Sequence, residues 1–359
     1  MTTVDGRRSE AMNPILDPQA PMPASAEPGG RVALQSRIKD ILPEMAVPAL
    51  LVLTFVIFGI LKPDLFLTWT NVRLTIGAQA TTLLLAIAAT ITLRAGDFDL
   101  SLAGVMIFSA ALVGVLYKDG VPAYLACLIA LACGTAVGLM NSVFVVLVGL
   151  DSLIVSLGMF TLLGGITTYL TNSNLVTTIP IGLQKFANHQ ILELPLTVWV
   201  GWALAAVLWV VFEYTPLGRY LLFIGGNRAA GTLAGLQVNR LRLISFVSGS
   251  FIAAVAGLLL AGSLGSVDPS SSSSYLLAPV TAAFLGTTCI QLGRFNIVGT
   301  LVGLYLLAFG ITGLQLLGLQ GWVTNVFNGA ALILALAFSR YFEAIRSGQM
   351  TLRRRARTA

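Results

Sequence analysis

Between residues 46 and 340 the chain repeats one pattern: an apolar run, a short polar break, then another apolar run, with almost no charge inside the runs. A run of about 20 apolar residues is what an α-helix needs to cross a bilayer, where lipid offers backbone N–H and C=O groups no partner. A soluble core helix would keep a polar stripe along one side. The pattern predicts an all-α polytopic bundle of about ten spans. These fall near Ala46–Leu61, Leu74–Leu93, Leu100–Tyr117, Tyr124–Leu147, Ser152–Leu170, Leu194–Phe212, Ile244–Ala261, Leu276–Ile290, Ile297–Leu316 and Val323–Phe338. The eighth is short. Ten spans would divide into two halves of opposite orientation, the geometry of inverted repeats in transporters.

The ends follow other rules. Residues 1–45 hold Pro14, Pro18, Pro21, Pro23 and Pro28 with no apolar period, and are expected to be a disordered cytoplasmic tail. Arg37–Glu44 is compatible with a short interfacial helix. No apolar stretch follows Arg7 and Arg8, so no secretory signal is expected. Residues 46–340 form the transmembrane domain and 341–359 a basic cytoplasmic tail. With the N-terminus inside, the tails, Arg94, Arg294 and the loop after the sixth span carry every basic residue except Lys62, Arg73, Lys118 and Lys185. That bias places both termini in the cytoplasm. The net charge of +6 therefore reflects membrane orientation and lipid contact rather than nucleic acid, which is not expected as a partner.

Composition removes several chemistries. The chain is 56% hydrophobic and 10% charged, with a mean hydropathy of +0.88. Cys127, Cys133 and Cys289 lie in apolar runs at spacings that fit no zinc or redox motif, and His189 is the single histidine. Neither a metal centre nor a Ser-His-Asp triad has the residues it would need. None of the four lysines sits in a phosphate-binding loop, so the chain is expected to hydrolyse nothing.

Three stretches differ from generic membrane helix. In Arg94-Ala-Gly-Asp-Phe-Asp-Leu-Ser101, Asp99 and Ser101 are placed to cap the third span, while Asp97 adds a charge at a costly depth. In the loop after the sixth span, Asn227 is a plausible N-cap for a short helix of small residues, with Leu233 and Leu236 on or near one face and Gly235 at its end. Such a helix suits docking into a groove of another protein, the alternative being a helix lying on lipid. The third stretch runs from Asp268-Pro-Ser-Ser-Ser-Ser-Ser-Tyr275, taken as an external loop, through the short span to the Gly299–Gly303 pair of small residues.

At these residues the chain resembles the inner-membrane permeases of ribose-, xylose- and arabinose-type ABC importers. Gly96, Asp99, Leu100 and Ser101 match one family pattern. Thr215, Gly218 and Arg219, followed by Gly225, Gly226, Asn227, Ala229, Ala230 and Gly235, match those of the large cytoplasmic loop. Leu285, Gly286, Thr288, Gly293, Val298, Gly299 and Thr300 match a third, and the resemblance spans residues 46–340. Ala103, Thr287, Leu292 and Phe295 stand where glycines are usual, and leave open a homodimer or a heterodimer of permeases.

The resemblance implies a permease subunit of an ATP-driven, binding-protein-dependent sugar importer in the inner membrane. Its partners would be an ABC ATPase, a periplasmic or extracellular solute-binding protein and a second permease. The chain itself would bind no cofactor, and the ATPase would use ATP and magnesium. Gly225, Gly226, Asn227, Ala229, Ala230, Leu233, Gly235 and Leu236 would form the ATPase-coupling helix. Passage of a sugar calls for hydroxyl, amide and aromatic groups, and Asp99, Ser101, Asn141, Ser156, Phe160, Thr161 and Ser274 are the candidates for the path. The alternative is an ion-coupled secondary transporter of a small polar solute. Such a protein needs buried ionisable groups, and Asp97, Asp99 and Asp151 all sit at span ends.

Overall fold

The computed structural model describes residues 45–319 and 321–346. The expected tail over 1–45, the interfacial helix at Arg37–Glu44 and the tail beyond 346 lie outside the described residues, Met45 excepted. The helices are α1 (Ala46–Leu61), α2 (Pro63–Phe66), α3 (Trp69–Ala78), α4 (Ala80–Arg94), α5 (Ser101–Lys118), α6 (Ala123–Ser142) and α7 (Ser152–Leu170). They continue as α8 (Ile181–Asn188), α9 (Leu196–Tyr214), α10 (Pro216–Gly226), α11 (Arg228–Leu233), α12 (Val238–Leu264), α13 (Leu277–Gly286), α14 (Ile297–Leu316) and α15 (Trp322–Arg346). A two-residue hairpin, β1 (Gln190–Ile191) and β2 (Leu194–Pro195), separates α8 from α9.

Six described helices are long and apolar enough to cross a membrane, and the pair α3–α4, bent by 47°, makes a seventh. α1 and the Trp322–Phe338 part of α15 are apolar but shorter. The outer faces carry Val52, Ile60, Ile154, Tyr169 and Ile333, each more than 60% exposed. Polar side chains such as Thr90, Ser101, Asn141 and Thr300 are turned inward. Apolar outside and selectively polar inside is the arrangement of a polytopic helical membrane protein.

α4 lies at the centre, and every one of its residues is buried. It packs on α12, α13, α9 and α14, while α12 also packs along α5 and α6. Small residues permit this crowding. Gly257 of α12 lies so close to α5 that a Cβ there would be 2.2 Å from the Met106 carbonyl oxygen. Between α13 and α14 a Cβ at Gly286 would be 2.6 Å from the Thr300 nitrogen, so the expected small-residue face is used for packing. Thr90 and Thr300 share a buried hydroxyl hydrogen bond of 3.0 Å across α4 and α14. Phe55, Phe58, Phe66 and Phe309 cluster to hold α1 and α2 against α14.

Five spans differ from their expected form. The second is broken at Gln79, and the fourth ends in a π turn over Val143–Leu147. The seventh begins earlier, at Val238. The eighth is helical only over Leu277–Gly286, and the serine-rich segment before it is a 3₁₀ helix, Pro269–Tyr275, rather than an open loop. Asp268 accepts from the Ser270 N–H at 2.8 Å, and Pro269 needs no N–H partner at the first position, so the turn is capped by its own sequence. The last helix continues to Arg346, into the segment expected to be tail.

The tight α5–α12 contact generates a stability expectation. Gly257→Val should lower the thermal unfolding midpoint of the detergent-purified protein, at a cost of about 1–3 kcal/mol for overpacking. Gly164→Ala, which would meet open space, should leave the midpoint unchanged. Equal midpoints for the two variants would show that the two helices do not approach this closely.

Candidate functional site

The loop between α9 and α12 builds its own short helix. Asn227 has extended backbone, and its Oδ1 accepts from the Ala230 N–H at 3.0 Å, which caps α11. At the other end Gly235 takes φ +77°. The Gly235 N–H donates to the Thr232 carbonyl and the Leu236 N–H to that of Gly231, each at 3.0 Å, closing a Schellman turn. Leu236 does not share an open face with Leu233: it packs onto the protein's own core, while Leu233 is 90% exposed. Ala229 is exposed and Ala230 half-buried. Gly225 lies against the end of α4, where a Cβ would be 2.2 Å from the Arg94 carbonyl oxygen, whereas Gly226 is open.

That contact brings the loop onto the turn between α4 and α5. Arg94 is buried there and donates to the carbonyls of Phe295 at 2.9 Å and of Gly218 and Phe212 at 3.2 Å each. Its guanidinium lies over the Phe212 ring, 4.4 Å from the centroid, with a Glu213 oxygen 3.9 Å away. Asp97 is buried too, but its charge is not isolated. Arg242 of α12 takes both carboxylate oxygens at 2.7 Å, and Arg228 of α11 donates to Oδ1 at 2.8 Å. The sequence reading passed over Arg228 and Arg242, counting them only toward membrane orientation. A carboxylate at this depth requires a buried cation, and Arg242, at the start of an apolar run, was the available signal.

Two residues further on, the structure joins three of the seven path candidates. Asp99 Oδ1 accepts from the Ser101 N–H at 3.0 Å and from the Ser101 hydroxyl at 2.6 Å, and Asn141 Nδ2 donates to Ser101 Oγ at 2.8 Å. Asp99 stands one position before the N-cap, Leu100, which makes no side-chain bond, so neither Asp99 nor Ser101 is the cap that the sequence suggested. Asp99 instead orders the start of α5 by accepting from Ser101, its first helical residue. Asp99 Oδ2 and Asn141 Oδ1 are buried without a partner. Asp99 lines a cavity with Leu85, Ala89, Leu102, Tyr275 and Val280 that has room for about one water. Phe160 lies against Gly104 of α5, and Ser156 is buried with its hydroxyl on the Leu153 carbonyl. Thr161 and Ser274 are exposed and lie outside this cluster. At the other end of the bundle, hydrogen bonds from the Ser270 hydroxyl and N–H hold the exposed Asp268 carboxylate below its ordinary range.

Comparison with known proteins places the chain. Residues 73–336 match the family described as branched-chain amino acid transport system / permease component. The chain belongs to this family of transport permeases. It is 30% identical to the ribose import permease protein RbsC of Escherichia coli (strain K12) over 80% of this chain and 90% of that protein. It is 27% identical to the ribose import permease protein RbsC of Haemophilus influenzae over 81% of this chain and 91% of that one. The autoinducer 2 import system permease protein LsrD of Escherichia coli (strain SMS-3-5) is 28% identical over 82% of this chain and 90% of its own length. No solved structure matches the chain.

The Asp99 geometry separates hydrogen bonding from charge. Asp99→Asn keeps an oxygen that accepts from Ser101 and should retain most of the stability. Asp99→Leu leaves the Ser101 N–H and hydroxyl without their acceptor and should cost about 1–3 kcal/mol. Thermal unfolding of the two purified variants checks this: equal losses would mean that the carboxylate charge, rather than the hydrogen bonds from Ser101, orders the turn.

Proposed function

We propose that the chain is the membrane-spanning permease subunit of an ATP-driven, binding-protein-dependent importer of a sugar or a similarly small hydroxylated solute. The observation that carries this reading is the match to ribose import permease proteins over 80% of the chain, together with a permease family model over residues 73–336. The chain forms the path and a separate ABC ATPase, using ATP and magnesium, supplies the energy. A solute-binding protein delivers the substrate, and a second permease, identical or related, completes the pathway.

Ten crossings fit the described elements: α1, the bent pair α3–α4, α5, α6, α7, α9, α12, the 3₁₀ helix with α13, α14 and α15. The distribution of basic residues supports a cytoplasmic position for both termini and for α11. α11 is read as the ATPase-docking helix. Its two caps hold it without help from a partner, and its exposed surface carries Arg228, the small residues Ala229 and Thr232, and the protruding Leu233. Asp99, Ser101, Asn141, Ser156 and Phe160 are the side chains proposed to meet the solute, with Thr161 and Ser274 at the margins.

Uptake into proteoliposomes by the complete transporter, assayed with pentoses, hexoses, deoxysugars and polyols and the cognate binding protein, tests the substrate class. Accumulation of none of them would overturn the sugar assignment. Leu233→Glu should leave membrane insertion intact and remove the ATPase from the purified complex. Full burial of a leucine is worth about 1.5–3 kcal/mol, so affinity should fall by at least roughly tenfold. Full retention of the ATPase by Leu233→Glu would move the docking site elsewhere. For orientation, Lys185→Cys should react with an impermeant external thiol reagent in intact cells and Leu233→Cys should not. The opposite pattern would invert the topology.

A further inference from the structure

Asp97 has one more cation than it needs. Its carboxylate is 1% exposed, and the buried Arg242 satisfies both oxygens through Nε and Nη2, which neutralises the charge by itself. Arg228 adds a second guanidinium to the same Oδ1. Its side chain is 43% exposed, so no desolvation compels the pairing, and exposed partners of this kind contribute little to stability. What Arg228 does have is position. It is the first residue of α11, and the same Nη2 that meets Asp97 also donates to the Gly96 carbonyl at 2.7 Å. It therefore grips both the backbone and the side chain of the turn.

That turn reaches the cavity within two residues. The Phe98 N–H donates to Ser152 Oγ at the start of α7, and the Phe98 ring stacks on Phe284 of α13 with centroids 5.9 Å apart. Asp99 follows, bonded to Ser101 and lining the cavity beside Leu102 and Tyr275. Gly225, in the last turn of α10, leaves no gap between the loop and the turn. A displacement of α11 is thus applied to the turn from Gly96 to Asp99, which touches α5, α7 and α13 at once.

We propose that the Arg228–Asp97 pair is the mechanical link that passes movement of the docking helix to the Asp99 turn and so changes access to the membrane cavity. Arg228 is a positioning residue, and the proposal rests on reading α11 as the ATPase-docking helix. Arg242 anchors the carboxylate to α12, and Arg228 couples it to the partner-driven element. The pairing is between residues 131 positions apart.

The test uses the full permease–ATPase complex in nanodiscs, with Leu102→Cys as a reporter in the cavity wall and N-ethylmaleimide as the probe. Ala103→Cys, also in the wall, serves if the first reporter does not fold. With Arg228 intact, magnesium-ATP should change the labelling rate. Arg228→Gln should still co-purify with the ATPase but lose at least about fivefold of that nucleotide response, the lower range of coupling between linked sites. Arg228→Lys, whose ammonium can reach the same two oxygens, should restore it. A full nucleotide response in Arg228→Gln would overturn the proposal. Loss of the ATPase from Arg228→Gln would also overturn it, since Arg228 would then serve docking rather than transmission. Full retention of the ATPase by Leu233→Glu would instead refute the docking reading of α11, and the link with it.

Discussion

The buried Arg94 guanidinium is the contact on which the rest of this end of the molecule depends. Lipid and packed helices supply no hydrogen-bond partners, so chain breaks at the membrane edge must be satisfied from within. Arg94 does this for three segments at once: the end of α9, the start of α10 and the turn before α14. Its planar fork of donors suits it to several carbonyls in a way a lysine ammonium does not. With those segments gathered around the end of α4, the following turn brings Asp97 to Arg242 and Asp99 to Ser101.

Buried charge here works by pairing rather than by isolation. An unpaired carboxylate at the depth of Asp97 would cost several kcal/mol, and two guanidiniums meet it. Asp99 is treated differently. One oxygen is fully used in ordering α5 and the other is left without a partner beside a small cavity. An acceptor that is buried but unspent is what a hydroxyl-bearing solute would find useful, and it stands next to a turn already tied to the surface helix α11.

Much of the bundle was legible in the sequence where local chemistry sets the boundaries. Ala46–Leu61, Ser152–Leu170 and Ile297–Leu316 begin and end as the apolar runs do. Asp151 and Asn296 cap the latter two from the adjacent position. α11 was legible for the same reason, since Asn227 and Gly235 are local signals. Tertiary contacts were not. Nothing near Asp97 in the chain announces Arg242, and the local helical face that groups Leu236 with Leu233 gives no hint that packing draws one inward and leaves the other out. The 3₁₀ helix at Pro269–Tyr275 was announced by its Asp-Pro start but masked by five serines that read as loop. Among the path candidates, polarity picked out Asp99, Ser101 and Asn141, which converge, and equally Thr161 and Ser274, which do not, because polarity carries no information on direction.

The energy source is the most direct test of the permease assignment. Proteoliposomes holding the permease with its ATPase, and supplied externally with binding protein and whichever radiolabelled sugar or polyol that protein binds, should accumulate the solute only when magnesium-ATP is enclosed. Accumulation should persist after ionophores collapse the proton and sodium gradients. Uptake that proceeds without ATP and stops when an ion gradient is dissipated would contradict the assignment and make the chain an ion-coupled carrier.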